Sequence, residues 1–140
     1  MIKTGSWYSR LPDDHIKVGI SRGTPRGMRK GFRIYRTLAP GTWFNRCASP
    51  QEYEQLYRSE VLAPLDPRQV AAKLEEIARG MIPVLVCFEQ VHNAKGQWCH
   101  RALAAEWLAE GIGQAVPEFG FEHLPQREHP LMANELRRLS

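Results

Sequence analysis

Residues 81–111, MIPVLVCFEQVHNAKGQWCHRALAAEWLAEG, decide the fold. Residues 81–88 are almost continuously apolar, the signature of a short central strand buried on both faces. A polar loop follows, and Cys99-His100-Arg101 then opens an amphipathic segment. That segment carries Leu103, Ala104, Trp107 and Leu108 on one side, with Gly111 placed to cap its end. Two of the three cysteines and a His-Arg pair therefore stand where a strand ends and a helix begins. Open α/β domains bind their ligands at such junctions.

Outward from this stretch the pattern alternates. Residues 2–8 and 16–21 read as short strands. RGTPRGMRKG, residues 22–31, holds three glycines and a proline and reads as a loop. Residues 32–38 fit a strand or one helical turn equally well, and Pro40-Gly41 marks a turn. Ser49-Pro50-Gln51-Glu52 is a helix start in which Ser49 caps, Pro50 takes the first turn and Glu52 completes a capping box. Tyr53, Leu56, Tyr57 and Val61 follow on one face up to Pro64. Asp66-Pro67 starts a second helix, whose stripe is Val70, Leu74, Ile77 and Ala78 and whose stop is Gly80. Residues 115–121 read as a further strand, and 130–139 as a short, more exposed terminal helix. Strand–helix–strand through 81–121 implies a right-handed parallel crossover. The expected fold is one small three-layer α/β domain over residues 1–140, a mainly parallel sheet flanked by helices.

Composition bounds the function. The chain has 140 residues, 43% of them apolar and 24% charged, as in ordinary globular domains with a real core. No run approaches the roughly 18 apolar residues of a membrane span, and the first residues lack the apolar core of a secretory signal. A cytoplasmic protein with reduced thiols is expected, and three cysteines do not close a disulfide framework. The net charge of +4 is uneven. Residues 1–50 carry ten Lys/Arg against two Asp/Glu; residues 51–140 carry nine against thirteen. Arg22, Arg26, Arg29, Lys30, Arg33 and Arg36 cluster without an acid between them, which suits an anion or a solvated basic loop.

The chemistry-bearing residues lie around the junction. A Cys99 at a helix start would meet unpaired N–H groups and the helix dipole, both favouring thiolate. Arg101 and a protonated His100 would lower its pKa further. The same arrangement would equally cradle an anionic ligand, and a small buried cysteine is the structural alternative. Cys87, at the strand end, is a core residue or a neighbour of Cys99. Glu89, just past the strand, is placed to orient His100, to bind Arg101 or to act as a general base. A zinc site would draw on Cys87, His92, Cys99 and His100. Their spacing, Cys-x4-His-x6-Cys-His, matches neither ribbon nor finger patterns. Adjacent Cys99 and His100 should also point apart, so no metal site is expected. No dinucleotide fingerprint, phosphate-binding loop of the GxxxxGK type or nucleophile elbow is present, and no motif names a cofactor. Trp43-Phe44, beside the turn, suits a pocket cover, a stacking platform or simple packing.

The pattern VLVCFE–loop–WCHR–ALAAEWL–G, with ISRGTPRG upstream, resembles the domain of unknown function 488 family over roughly residues 17–116. The start Leu65-Asp66-Pro67 is similar as well, and the loop HNAKGQW is longer than in the shortest members. The resemblance implies a compact α/β fold, mostly prokaryotic proteins, and no established activity. It groups Cys87, Glu89, Cys99, His100 and Arg101 in one site, with Ser21 and Arg22 as neighbours.

Three functions are compatible with these residues. The first is a domain that binds or processes a small anionic, phosphate-bearing ligand such as a nucleotide. Ser21, Arg22, Arg26, Cys87 and Arg101 would then bind it, and Glu89, Cys99 or His100 would carry any chemistry. The second is a thiol-based enzyme or redox sensor centred on Cys99, with Cys87 as resolving partner. The third, lacking any recognition motif, is nucleic-acid binding through the basic first half.

Overall fold

The computed structural model describes residues 1–93 and 98–137. Four strands, β1 (Lys3–Ser6), β2 (His15–Gly19), β3 (Arg33–Ile34) and β4 (Ile82–Cys87), form one all-parallel sheet in the order β1-β4-β2-β3. Among the described residues three α-helices accompany it: α1 (Pro50–Leu56), α2 (Pro67–Ala78) and α3 (His100–Ile112). The fold is α/β with a parallel sheet, as expected. β4, the apolar run, is flanked by a strand on each side and buried throughout except at Ile82.

The two faces of the sheet are covered differently. On one face Ile16, Val18, Ile20, Leu85 and Cys87 pack under the helices. On the other, Trp7, Val84 and Val86 meet Leu11, Met28, Phe32 and Phe119, all from irregular chain. The layers are thus helices, sheet and irregular chain. The segment linking β1 to β2, residues 7–14, is too short for a crossover helix, and the one linking β2 to β3, residues 20–32, is broken by Gly23, Pro25, Gly27 and Gly31, so loops form that layer.

The helix starts follow their sequence signals. Ser49 Oγ accepts the Glu52 N–H at 3.1 Å and Pro50 occupies the first turn. Asp66 Oδ1 likewise accepts the Arg68 N–H at 2.9 Å. After α1 the backbone widens into a π-helical turn, Tyr57–Leu62. That wider turn shifts the buried position from the expected Val61 to Leu62. Residues 32–38 turn out to be both alternatives, the short β3 and then a 3₁₀ turn, Arg36–Leu38.

Three expectations fail for local reasons. Residues 115–121 make only one parallel bridge, Thr4 to Glu118, beside β1. Pro117 has no N–H to donate and Gly120, with φ of 88°, turns the chain away. Gly111 does not cap α3, which runs on to a left-handed Gly113. Instead Gly111 lets Pro67 of α2 approach, for a Cβ there would lie 2.1 Å from the Pro67 ring. The terminal segment is a 3₁₀ turn, Asn134–Leu136, and Leu131, Met132, Ala133 and Leu136 are buried rather than exposed. The last residues of that expected helix, 138–139, lie outside the described residues.

α3 is also more central than an amphipathic stripe would make it. Every residue from His100 to Glu106 is buried. Among them Glu106 accepts a bond from Arg58 Nη2 at 2.6 Å.

The close packing of Trp7 on β2 yields a test. A Cβ on Gly19 would stand 2.3 Å from the Trp7 ring. That ring is pinned at its other end by donation from Nε1 to Ser21 Oγ at 2.8 Å. Gly19→Ala is expected to lower the unfolding free energy by about 1–3 kcal/mol through overpacking, read as a lower urea midpoint at unchanged slope.

Candidate functional site

The chain leaving β2 turns toward β3. The chain leaving β4 runs through α3 to the segment beside β1. The strand ends between these diverging connections form a cleft, the position where open parallel sheets place ligands. A cavity of about 350 Å³ lies there, lined by Ser21, Arg22, Phe44, Cys87, Glu89 and His100 among others. Gly23, Pro40, Tyr53, Phe88, Trp98 and Cys99 complete its walls. A larger, shallower groove of about 740 Å³ runs along the loop-covered face, past Arg10, Lys17, Met28 and Phe32. It holds none of the residues singled out around the junction.

Cys87 and Cys99 form the floor. β4 ends on Cys87, and Cys99 is the extended residue that precedes α3, with φ of −144°. Their sulfurs are in disulfide contact, although their Cα atoms are 7.6 Å apart. The odd cysteine count therefore did not preclude a pair, and Cys47 is the remaining thiol. Cys99 is held in place by its own N–H, which donates to Leu131 O at 3.0 Å.

His100 does not act as a cation beside Cys99. Its Nε2 lies 2.8 Å from Ile20 O, which can only accept, so Nε2 carries the proton. Nδ1 then presents its lone pair to Cys99 Sγ at 3.6 Å. Burial pushes the imidazole pKa down to about 4; the Ile20 carbonyl opposes this and the Arg101 charge adds to it. The expected protonated His100 is thus replaced by a neutral ring. The two neighbouring side chains were also expected to point apart, and they converge because the extended Cys99 backbone turns its sulfur toward the start of α3.

Arg101 is wholly buried and its donors are committed. Nε and Nη2 grip Glu118 at 3.0 and 2.7 Å. Nη1 donates to Cys87 Sγ at 3.0 Å and to Glu89 O at 2.7 Å. The guanidinium supports Cys87 from behind and leaves Cys99 to His100. Its contact with Glu89, a lining residue of the cavity, is through the backbone carbonyl and not the Glu89 carboxylate. That carboxylate lies near Tyr53, whose phenol is pushed well up by burial first and by the Glu89 charge second.

At the rim, Arg22 is exposed, donates to Pro40 O at 3.0 Å and lies 5.5 Å over the Phe44 ring. Ser21 Oγ accepts from Trp7 and donates to Gly23 O at 2.6 Å. Arg26 is exposed on its loop and does not line the cavity. His92 is exposed in a 3₁₀ turn and stands apart from the cluster of Cys87, Cys99 and His100, whose donor atoms lie within 4.8 Å of one another. Among the described residues, those three form the group whose donor atoms are close enough to hold a metal ion.

Sequence reasoning offered Phe44 as a pocket cover but missed the walls from Tyr53, Phe88 and Trp98 and the group behind the floor. Glu118 Oε1 accepts from Thr4 Oγ1 at 2.8 Å. His129 Nδ1 accepts the Leu131 N–H, so its Nε2–H points to Thr4 Oγ1 at 2.7 Å and Glu118 Oε1 at 3.3 Å. A lone glutamate after a proline carries no local signal of this role.

The Glu118 carboxyl generates a pH test. Burial alone would raise its pKa, but the His129 bond and the Arg101 charge outweigh burial and hold it at about 2, against an ordinary 4.5. A depressed carboxyl stabilises the fold fully above the unfolded value and loses that contribution as pH falls toward the folded one. Between pH 4.5 and 2 the wild type should lose on the order of 3 kcal/mol that Glu118→Gln does not lose, measured by urea unfolding at a series of pH values. No match was found among curated proteins or solved structures. A family model described as the active DUF488-N3 subclade, DUF488-N3a, matches residues 2–111, which takes in the whole sheet, both cysteines of the floor and nearly all of α3. The chain belongs to that DUF488-N3a family.

Proposed function

We propose that the strand-end cavity binds, and in a cytoplasmic setting processes, a small anionic ligand with a flat ring, a nucleoside phosphate being the fitting class. The observation that carries this reading is the cavity's composition. Aromatic walls from Phe44, Tyr53, Phe88 and Trp98 enclose a space of about 350 Å³, with one exposed arginine at the rim and few polar groups inside. Small-molecule sites combine these features. Arg22 would pair with the anion at the rim, and the Phe44 face would receive a ring. Glu89 is the carboxylate positioned for proton transfer. Arg101, with its donors committed, positions the floor and does not touch the ligand.

A second reading, thiol chemistry, is favoured by the contact between Cys87 and Cys99 and by the donation from Arg101 to Cys87 Sγ. In that reading Cys87 has the charge-assisted sulfur, and Cys99 completes the pair. Forming the disulfide releases two protons and two electrons to a disulfide or peroxide acceptor.

Calorimetric titration with nucleoside monophosphates, nucleoside diphosphates and inorganic phosphate tests the first reading. A nucleoside phosphate should bind more tightly than phosphate alone. Arg22→Ala should weaken it about tenfold, roughly 1.4 kcal/mol, while Arg26→Ala leaves it unchanged. Binding of none of these compounds, or equal affinity in Arg22→Ala, would sink it. Iodoacetamide labelling against pH separates the second reading, which requires Cys87 or Cys99 to react in the folded chain well below the pH at which Cys47 does.

A further inference from the structure

We infer that Cys87, Cys99 and His100 form a binding site for a divalent zinc-like ion, with a fourth coordination position open to the cavity. The inference stands apart from the nucleotide reading and uses none of its residues at the rim.

Distance is the first argument. Tetrahedral zinc, with Zn–S of about 2.3 Å and Zn–N of about 2.0–2.1 Å, sets a sulfur and a nitrogen ligand roughly 3.6 Å apart. Cys99 Sγ and His100 Nδ1 are 3.6 Å apart. All three donor atoms lie within 4.8 Å of one another, on side chains that are each buried.

The second argument is the orientation of the imidazole. A metal-bound histidine typically donates its other ring N–H to a carbonyl or carboxylate, which aims the lone pair. His100 does this through Nε2 to Ile20 O, and its bare Nδ1 faces the sulfurs. Arg101 Nη1 supplies the matching outer contact to Cys87 Sγ, at 3.0 Å.

Backbone spacing is the third argument. A relaxed disulfide holds its Cα atoms within about 7 Å, and these stand 7.6 Å apart. Cys87 is fixed by pairing with β1, and Cys99 by Leu131. An ion between two thiolates lets the sulfurs separate to about 3.8 Å, which this wider backbone favours.

Charge closes the case. Two buried thiolates and a neutral imidazole are balanced by one divalent ion. The Arg101 charge is already matched by Glu118, with which it makes a two-point ion pair. Three protein ligands with an open fourth position is the arrangement of reactive rather than purely structural zinc sites. Ser21, Glu89 and Tyr53 line the same cavity as the three ligands, so the fourth ligand would be water or an oxygen of a bound molecule. The spacing Cys-x11-Cys-His belongs to no common finger or ribbon, because one partner comes from a strand end and two from a helix start.

Cobalt titration of the fully reduced, metal-stripped chain tests this, with no nucleotide present. One Co²⁺ per chain should bind with thiolate charge-transfer absorption and the strong visible bands of a tetrahedral site. Bound Co²⁺ should shield two of the three thiols from alkylation, leaving Cys47 reactive. Cys87→Ser, Cys99→Ser and His100→Ala should each weaken binding more than about 100-fold, beyond the loss typical of an outer contact; Cys47→Ser should not change it. Should a variant fail to fold, the shielding of Cys87 and Cys99 in the wild type carries the test. Absence of thiolate-to-cobalt absorption in the reduced wild type, shielding of Cys47 instead, or a Cys87–Cys99 disulfide surviving strong reductant would overturn the site. None of these results bears on nucleotide binding.

Discussion

The buried ion pair of Arg101 and Glu118 is the interaction on which the rest of the site depends. Arg101 has no exposed surface, so its guanidinium charge is tolerable only with every donor matched. Glu118 matches two of them, and Cys87 Sγ with the Glu89 carbonyl takes the third nitrogen. Four pieces of chain meet there: the end of β4, the first turn of α3, the segment beside β1, and, through His129 and Thr4, the C-terminal region. Removing one partner would leave a buried charge uncompensated, so the pair acts as a positional lock more than as a source of net stability.

That lock explains why α3 enters the sheet at the cysteines. A helix whose first seven residues are all buried cannot be placed by an amphipathic stripe alone. Polar anchors set its depth and rotation: Arg101 on Glu118, His100 on Ile20 O, Glu106 on Arg58. With rotation set, His100 Nδ1 and Cys99 Sγ must converge, and Cys87 meets them from β4. The same anchors remove Arg101 from the ligand side, so the cavity is less cationic than the sequence suggested. Its character is aromatic, with Arg22 and Glu89 as its charged residues.

Much of the fold was legible in local patterns. The apolar run before Phe88 is the central β4 because a strand paired on both edges and covered on both faces needs no polar residue. Ser49-Pro50 and Asp66-Pro67 start helices because capping chemistry is local. Gly111 and the segment 115–121 were misread because the deciding contacts, Pro67 and Thr4, come from far along the chain. A small residue at a helix crossing and a glycine cap look the same in sequence.

The sequence by itself determined that Cys87 ends a strand and that Cys99 and His100 open the helix after it, since such boundaries are set by nearby residues, whereas the grouping of Ser21, Arg22 and Glu89 with them was implied by the family resemblance. Only the tertiary structure decided their states. The protonation of His100 rests on the Ile20 carbonyl eighty residues away, and the employment of Arg101 rests on Glu118. Which sulfur each cationic or aromatic neighbour serves follows from the rotation of α3. Protonation, charge pairing and donor direction depend on burial and on groups brought from elsewhere in the chain, and such quantities have no local signature.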